Sequence, residues 1–193
     1  MEQKLAGKTA LITGASRGIG AVIAKRLAAD GAAVTLTYVG AQDAAVAVVQ
    51  EVTQAGGQAR AIHADAREIG ASAAAVADAV THHGKLDILV SNAGINISKP
   101  IESLDIEDYS AVFDINVRAN FEIIKAALEE AGSGLQDIVR TRVILTDIDT
   151  WKDAIEARKL YCKDARPADT IMAIQRFVNP EWLVEIEVDA VIS

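Results

Sequence analysis

The sequence predicts an α/β fold: a doubly wound parallel sheet of strand order 3-2-1-4-5, followed by a C-terminal α+β segment ending in two antiparallel strands. Three observations predict it. Residues 9–20, TALITGASRGIG, run from a short apolar stretch through Gly14, Gly18 and Gly20 directly into helical spacing. Strand-like and helix-like stretches then alternate, which implies parallel strands with right-handed crossovers. Near the C-terminus, two strand-like runs are joined by a short polar link around Asn179 and Pro180. That link suits an antiparallel pair, because a parallel crossover needs a dozen or more residues.

Each element has its own warrant. Ala10, Leu11 and Ile12 form an apolar run that suits a buried parallel strand. The first helix opens at Gly18, carries Ile19, Val22, Ile23 and Leu27 on one stripe, and stops at Gly31. Residues 33–38, AVTLTY, are a β-rich second strand. Ala45, Val48, Val49 and Val52 mark a second helix that ends at Gly56 and Gly57. Residues 59–64 form a third strand, an alanine-rich helix ends at Gly84, and residues 86–90 form a fourth strand. Asp105 caps a long helix with Asp108 three residues on. Its apolar positions include Tyr109, Val112, Phe113, Val117, Phe121, Ile124 and Leu128, and it stops near Gly132.

The rhythm then changes. Residues 139–146, VRTRVILT, form a strand, and Thr150 with Asp153 opens a helix through Cys162. A turn at residues 166–169 precedes a strand over 170–177. Residues 184–192 alternate apolar and polar as a half-solvated strand. Trp151 and Trp182 read as packing residues.

Composition narrows the function. The 193 residues are 51% hydrophobic but only 4% aromatic, and the net charge is -8. A dispersed acidic surface argues against nucleic acid, which wants a basic footprint, and against an anionic membrane. The single cysteine, Cys162, cannot form an intrachain disulfide. With a polar N-terminus and no long apolar run, this points to a cytoplasmic protein. His82 and His83 are adjacent rather than spaced by a helical turn, so no metal site is expected.

The glycine turn carries chemistry. Strand, glycine turn and helix together present free backbone N–H groups and a positive helix end to a phosphate. Glycine is needed because a Cβ would clash with a pyrophosphate lying on the backbone. The second strand ends Tyr38-Val39-Gly40, without the acid that holds the ribose of NAD in this layout. Arg17, inside the turn, could meet a 2′-phosphate. NADP(H) is therefore the expected cofactor, with NAD second.

Residues of about 6–125 resemble the short-chain dehydrogenase/reductase family, in particular its 3-oxoacyl-acyl-carrier-protein reductases. Thr13, Gly14, Gly18 and Gly20 meet the family's Thr-Gly-x-x-x-Gly-x-Gly turn. Asp65 matches the carboxylate that contacts the adenine amino group. Asn92, Ala93 and Gly94 match the motif beside the cofactor, and Asn116 matches the catalytic asparagine. The resemblance implies a Rossmann-like fold, with Ser16, Arg17, Ile19 and Tyr38 also at the cofactor. It stops before the catalytic serine and the Tyr-x-x-x-Lys pair. Four residues after Tyr161 stands Ala165, and Lys163 is only two away. Residues two apart on a helix do not share a face. Thr146 and Tyr161 are weak substitutes.

Residues of about 126–193 resemble the back half of the reactive-intermediate deaminase (Rid) family. The cues are Ala131-Gly132, residues 135–139, Leu145-Thr146-Asp147, Arg166-Pro167-Ala168 and the closing VEIEVDAVI. That family forms trimers whose sites hydrolyse enamines or imines. Asp169 stands where active members hold an arginine, and Glu185 matches a water-activating glutamate but equally fits the polar face of its strand. The chain thus reads as a chimera, engineered or natural, joining residues 1–125 to 126–193.

Four functions follow. The first and preferred one is an NADP(H)-binding protein with little or no activity. The others are an active NADPH-dependent carbonyl reductase, a deaminase-like trimer, and a structural chimera without ligand. A homo-oligomer is left open.

Overall fold

The computed structural model describes residues 3–162, 165–176 and 184–191. The chain divides into two compact units, Met1–Glu130 and Ala131–Ser193.

The first unit is built on four parallel strands: β1 (Thr9–Ile12), β2 (Ala33–Tyr38), β3 (Gln58–His63) and β4 (Ile88–Val90), in the order β3-β2-β1-β4. Helices α1 (Gly18–Ala29), α2 (Gln42–Gln54) and α3 (Ala71–His83) are the crossovers. All four residues of β1 are buried, as expected for a strand covered on both faces. The two-residue period sorts them. Ala10 and Ile12 join Val34 and Leu36 beneath α1 and α2, whereas Leu11 joins Val76 and Ala79 of α3 on the opposite face.

The buried face of α1 is Gly20, Ala21, Ala24 and Ala28. Ile19 and Val22, expected on the apolar stripe, are 57% and 67% exposed. Ile23 and Leu27 of the same stripe do pack against the core, so bulk hydrophobicity finds part of the inner face, and small side chains that let helix and sheet approach make up the rest.

The expected long helix is three pieces: α4 (Ile106–Phe113), a π-helical turn (Asp114–Arg118) and α5 (Ala119–Glu130). The expected cap is present as a reciprocal box: Asp108 N donates to Asp105 Oδ1 at 2.8 Å and Asp105 N donates to Asp108 Oδ2 at 3.3 Å. Tyr109 and Phe113, expected inside, are exposed and stack on each other with ring centroids 4.6 Å apart.

The second unit is centred on β5 (Ile138–Leu145), with α6 (Trp151–Cys162), β6 (Ala168–Ala173) and β7 (Val184–Ala190). β6 lies parallel to β5 and β7 antiparallel to it, in the order β6-β5-β7. Two sequence expectations change here. Both edges of β5 are taken by β6 and β7, so it is the middle of its own sheet rather than the fifth strand beside β4. The last two strands run in opposite directions but flank β5 instead of pairing with each other. Ten residues separate Ala173 from Val184. That is ample to span the roughly 10 Å across one intervening strand. Across β5 and β7, Arg142 pairs with Glu187 and Arg140 with Asp189 at 3.2 Å.

β6 begins at Ala168, inside the expected turn, and ends at Ala173 instead of running on to Phe177, which, like Lys163 and Trp182, lies outside the described residues. Asp147 caps the 3-10 turn Ile148–Thr150 before α6, accepting from Asp149 N at 3.0 Å, and Thr150 stands directly before Trp151, while the side chain of Asp153 lies outside the described residues. Trp151 is 42% exposed, with Lys152 Nζ 5.8 Å from its ring centroid, and is not a core residue.

Candidate functional site

The carboxyl ends of the first unit's strands open into a cleft of about 560 Å³, lined wholly by residues of that unit. This is where open α/β sheets present their ligand sites. Its floor is the turn between β1 and α1. Thr13 is 8% exposed, and its Oγ1 accepts from both Asn92 N and Ala93 N at 2.9 Å. Asn92 Nδ2 donates back to the carbonyls of Thr13, at 2.8 Å, and Gly14, at 3.2 Å. The Asn-Ala-Gly segment after β4 is thereby stitched to the glycine turn.

The glycines are demanded by that proximity. Gly14 has φ +62°, and a Cβ on it would lie 3.0 Å from the Ala93 Cα. A Cβ on Gly20 would lie 2.5 Å from Asn92 Nδ2 and 2.9 Å from the Ala15 Cα. Helix α1 begins at Gly18 with no side chain capping its amino end and no acid in its first turn. Its first N–H groups and dipole are therefore available to an anion.

The cleft carries opposite charges at two points. Among the described residues lining it, Arg17 is the one cation and Asp65 the one carboxylate. Arg17 is exposed. Asp65 sits just past β3, and hydrogen bonding from Arg67 holds its carboxyl below the usual carboxylate range, against the opposing effect of burial.

Of the residues expected at the cofactor, Thr13, Gly14, Ser16, Arg17, Tyr38, Asp65, Asn92, Ala93 and Gly94 line the cleft. Gly18, Ile19 and Gly20 form the first turn of α1 behind it. Asn116 lies in the π-helical turn. Its Oδ1 accepts from Ile95 N at 2.9 Å, and its Nδ2 donates to the Ile95 carbonyl at 2.8 Å. Thr146 follows β5 and Tyr161 lies in α6, both in the second unit. In that unit Thr141, buried, donates its hydroxyl to Asp169, while Glu185 is exposed on β7.

Sequence reasoning missed several contributors. Thr37 lines the cleft and its hydroxyl accepts from Gly14 N at 3.0 Å. The two-residue period of β2 puts Thr37 on the face opposite Tyr38, and that signal could have found it. Ser91 donates to Asn120 Oδ1, and Asn120 Nδ2 donates to the Asn116 carbonyl at 2.7 Å. That chain joins the end of β4 to α5, and no local pattern announces it.

Comparison with known proteins places this geometry. A family model described as short chain dehydrogenase matches residues 8–145, and one described as Endoribonuclease L-PSP, the Rid group, matches residues 104–192. An uncharacterized oxidoreductase of Methylorubrum extorquens is 42% identical over 145 residues, covering 75% of this chain and 58% of that protein. The crystal structure of a short chain dehydrogenase from Burkholderia cenocepacia in complex with NADP is 46% identical with a TM-score of 0.64, covering 66% of this chain and 52% of that one. A blue fluorescent protein from a metagenomic library, solved in complex with NADPH, is 43% identical with a TM-score of 0.63, covering 73% and 56%. The chain thus spans little more than half the length of the proteins it matches. The two family matches fit a chimera, and over its larger part the chain belongs to the short-chain dehydrogenase family.

Proposed function

We propose that the chain binds NADP(H) in the cleft at the carboxyl ends of β1 to β4 and transfers hydride poorly or not at all. The observation that carries this reading is the uncapped amino end of α1 at Gly18, where φ is +59° and the place a Cβ would take is open space. A diphosphate can lie against such a backbone, and a larger residue would fill its place. Arg17 supplies a cation for a 2′-phosphate, and the end of β2 at Tyr38 offers no acid for a ribose hydroxyl. Asp65 offers an acceptor to the amino group of a purine. Asn92, Ala93 and Gly94 line the cleft beyond the turn. The complexes of the similar proteins with NADP and NADPH support the same choice.

Bound, the cofactor would supply hydride chemistry, while the protein's part is orientation and a proton donor. The sequence contains no Tyr-x-x-x-Lys, so no helix face pairs a phenol with a lysine to lower its pKa. A positioned general acid contributes about 10²–10⁴-fold. Reduction of a 3-oxoacyl thioester should fall at least that far below a complete family member. Titration with NADPH, followed by fluorescence and by the shift in melting temperature, tests the binding. A ligand that binds only the folded state must raise that temperature. No binding at millimolar NADPH ends the proposal.

A second reading draws on the match of residues 104–192: a deaminase-like trimer formed through the second unit. Asp169 weighs against it, since a carboxylate repels an anionic substrate. Light scattering that reports a monomer or dimer rejects the trimer.

A further inference from the structure

Asp65 is 8% exposed, and Arg67 takes both of its oxygens. Oδ1 accepts from Arg67 N at 3.0 Å and from Arg67 Nε at 3.1 Å. Oδ2 accepts from Nε at 3.1 Å and from Nη2 at 2.5 Å. A carboxylate offers about four lone-pair positions, so the fork leaves little acceptor capacity. The Arg67 side chain itself is 59% exposed. Its main chain is held separately, because Arg118 Nη2 donates to the Arg67 carbonyl at 2.9 Å and to the Ala66 carbonyl at 3.2 Å. The loop is therefore fixed while the guanidinium stands in solvent, able to leave Asp65 without moving the backbone.

We propose that Arg67 is an intramolecular competitor for Asp65, and that it sets how strongly the cleft distinguishes a 6-amino purine from a 6-oxo purine. This rests on the cofactor reading above. An adenine amine must share or displace the fork to reach Asp65. A 6-oxo base brings an acceptor to the position where adenine brings its amine, so at that position it gains nothing when the fork leaves. Arg67 thus weakens the preference for adenine, a role distinct from charge balance. Loss of a positive charge beside the cleft weakens every polyanionic dinucleotide alike, so the ratio of the two affinities isolates the competition.

The experiment measures dissociation constants of NADPH and of its hypoxanthine counterpart for the wild-type chain, Arg67→Lys and Arg67→Ala. Lysine keeps the charge but cannot present two parallel donors. The preference for NADPH over the hypoxanthine form should rise about two- to fivefold in both variants, the scale of an exposed ion pair. An unchanged ratio in both, with both dinucleotides still bound, overturns the inference. Binding of neither dinucleotide by the wild-type chain defeats the cofactor reading instead.

Discussion

Asn116 closes a two-hydrogen-bond clamp on the main chain of Ile95, accepting from its N–H and donating to its carbonyl as a neighbouring strand would. Gly94 sits under the same clamp, with Asn116 Oδ1 3.3 Å from where its Cβ would be. The π-helical turn thereby holds the loop that leaves β4. Asn116→Ala should destabilise the first unit by about 1–2 kcal/mol, the scale of two net hydrogen bonds. Amide exchange at Ile95 should accelerate while exchange in β1 stays slow. Unchanged exchange at Ile95 would show the clamp to be idle.

Two glycines of the turn separate backbone strain from crowding. Gly18 has φ +59° with nothing within 4 Å of an added Cβ, whereas Gly14 combines φ +62° with the nearby Ala93. Gly18→Ala should cost about 1 kcal/mol from the left-handed conformation alone. Gly14→Ala should cost about 2–4 kcal/mol, because crowding adds to strain. It should also abolish the thermal shift with NADPH. Chemical denaturation of both variants checks the order.

Arg17 tests the choice of cofactor. Arg17→Ala should weaken NADPH about tenfold, as expected for a lost charge-assisted hydrogen bond, and NADH by less than about twofold. Calorimetry with both dinucleotides decides it. Equal losses would place Arg17 elsewhere than at the 2′-phosphate.

Asp87 ties the starts of β1 and β4 together. Its side chain is 17% exposed, accepts from Thr9 N at 2.9 Å, and pairs with Lys8 at 3.1 Å and Lys85 at 3.0 Å. Burial favours the protonated acid, but the hydrogen bonds from Lys85, Thr9 and Lys8 outweigh it and hold the carboxyl far below its ordinary value. The unfolded chain therefore takes up the proton first as pH falls. The stabilisation is complete above the unfolded value, about 4, and is lost progressively at more acid pH. Asp87→Asn should cost about 1–3 kcal/mol at neutral pH. It should also flatten the acid limb of stability against pH. Urea unfolding at a series of pH values checks both.

Much of the first unit is legible along the chain. The apolar run at residues 10–12, the glycines and the cap at Asp105 are local signals, and local sterics enforce them. The inner face of α1 is legible at Ile23 and Leu27 but not at Ile19 and Val22, because hydropathy ranks these two above Ala21 and Ala24 while the sheet's closeness ranks them by size. Thr37 and Asn120 were missed because their value lies in partners far away in sequence.

From the amino-acid order alone came the parallel core, the glycine turn, the charge of Arg17 and the missing tyrosine–lysine pair. Each depends on residues within a turn or two of one another, where spacing dictates geometry. Folding in three dimensions decided that β5 is enclosed between β6 and β7, that Asn116 serves Ile95, and that Arg67 occupies Asp65. A strand has two edges and a carboxylate a handful of lone pairs. Which neighbour claims them is settled by competition through space, and no window along the chain contains all the competitors.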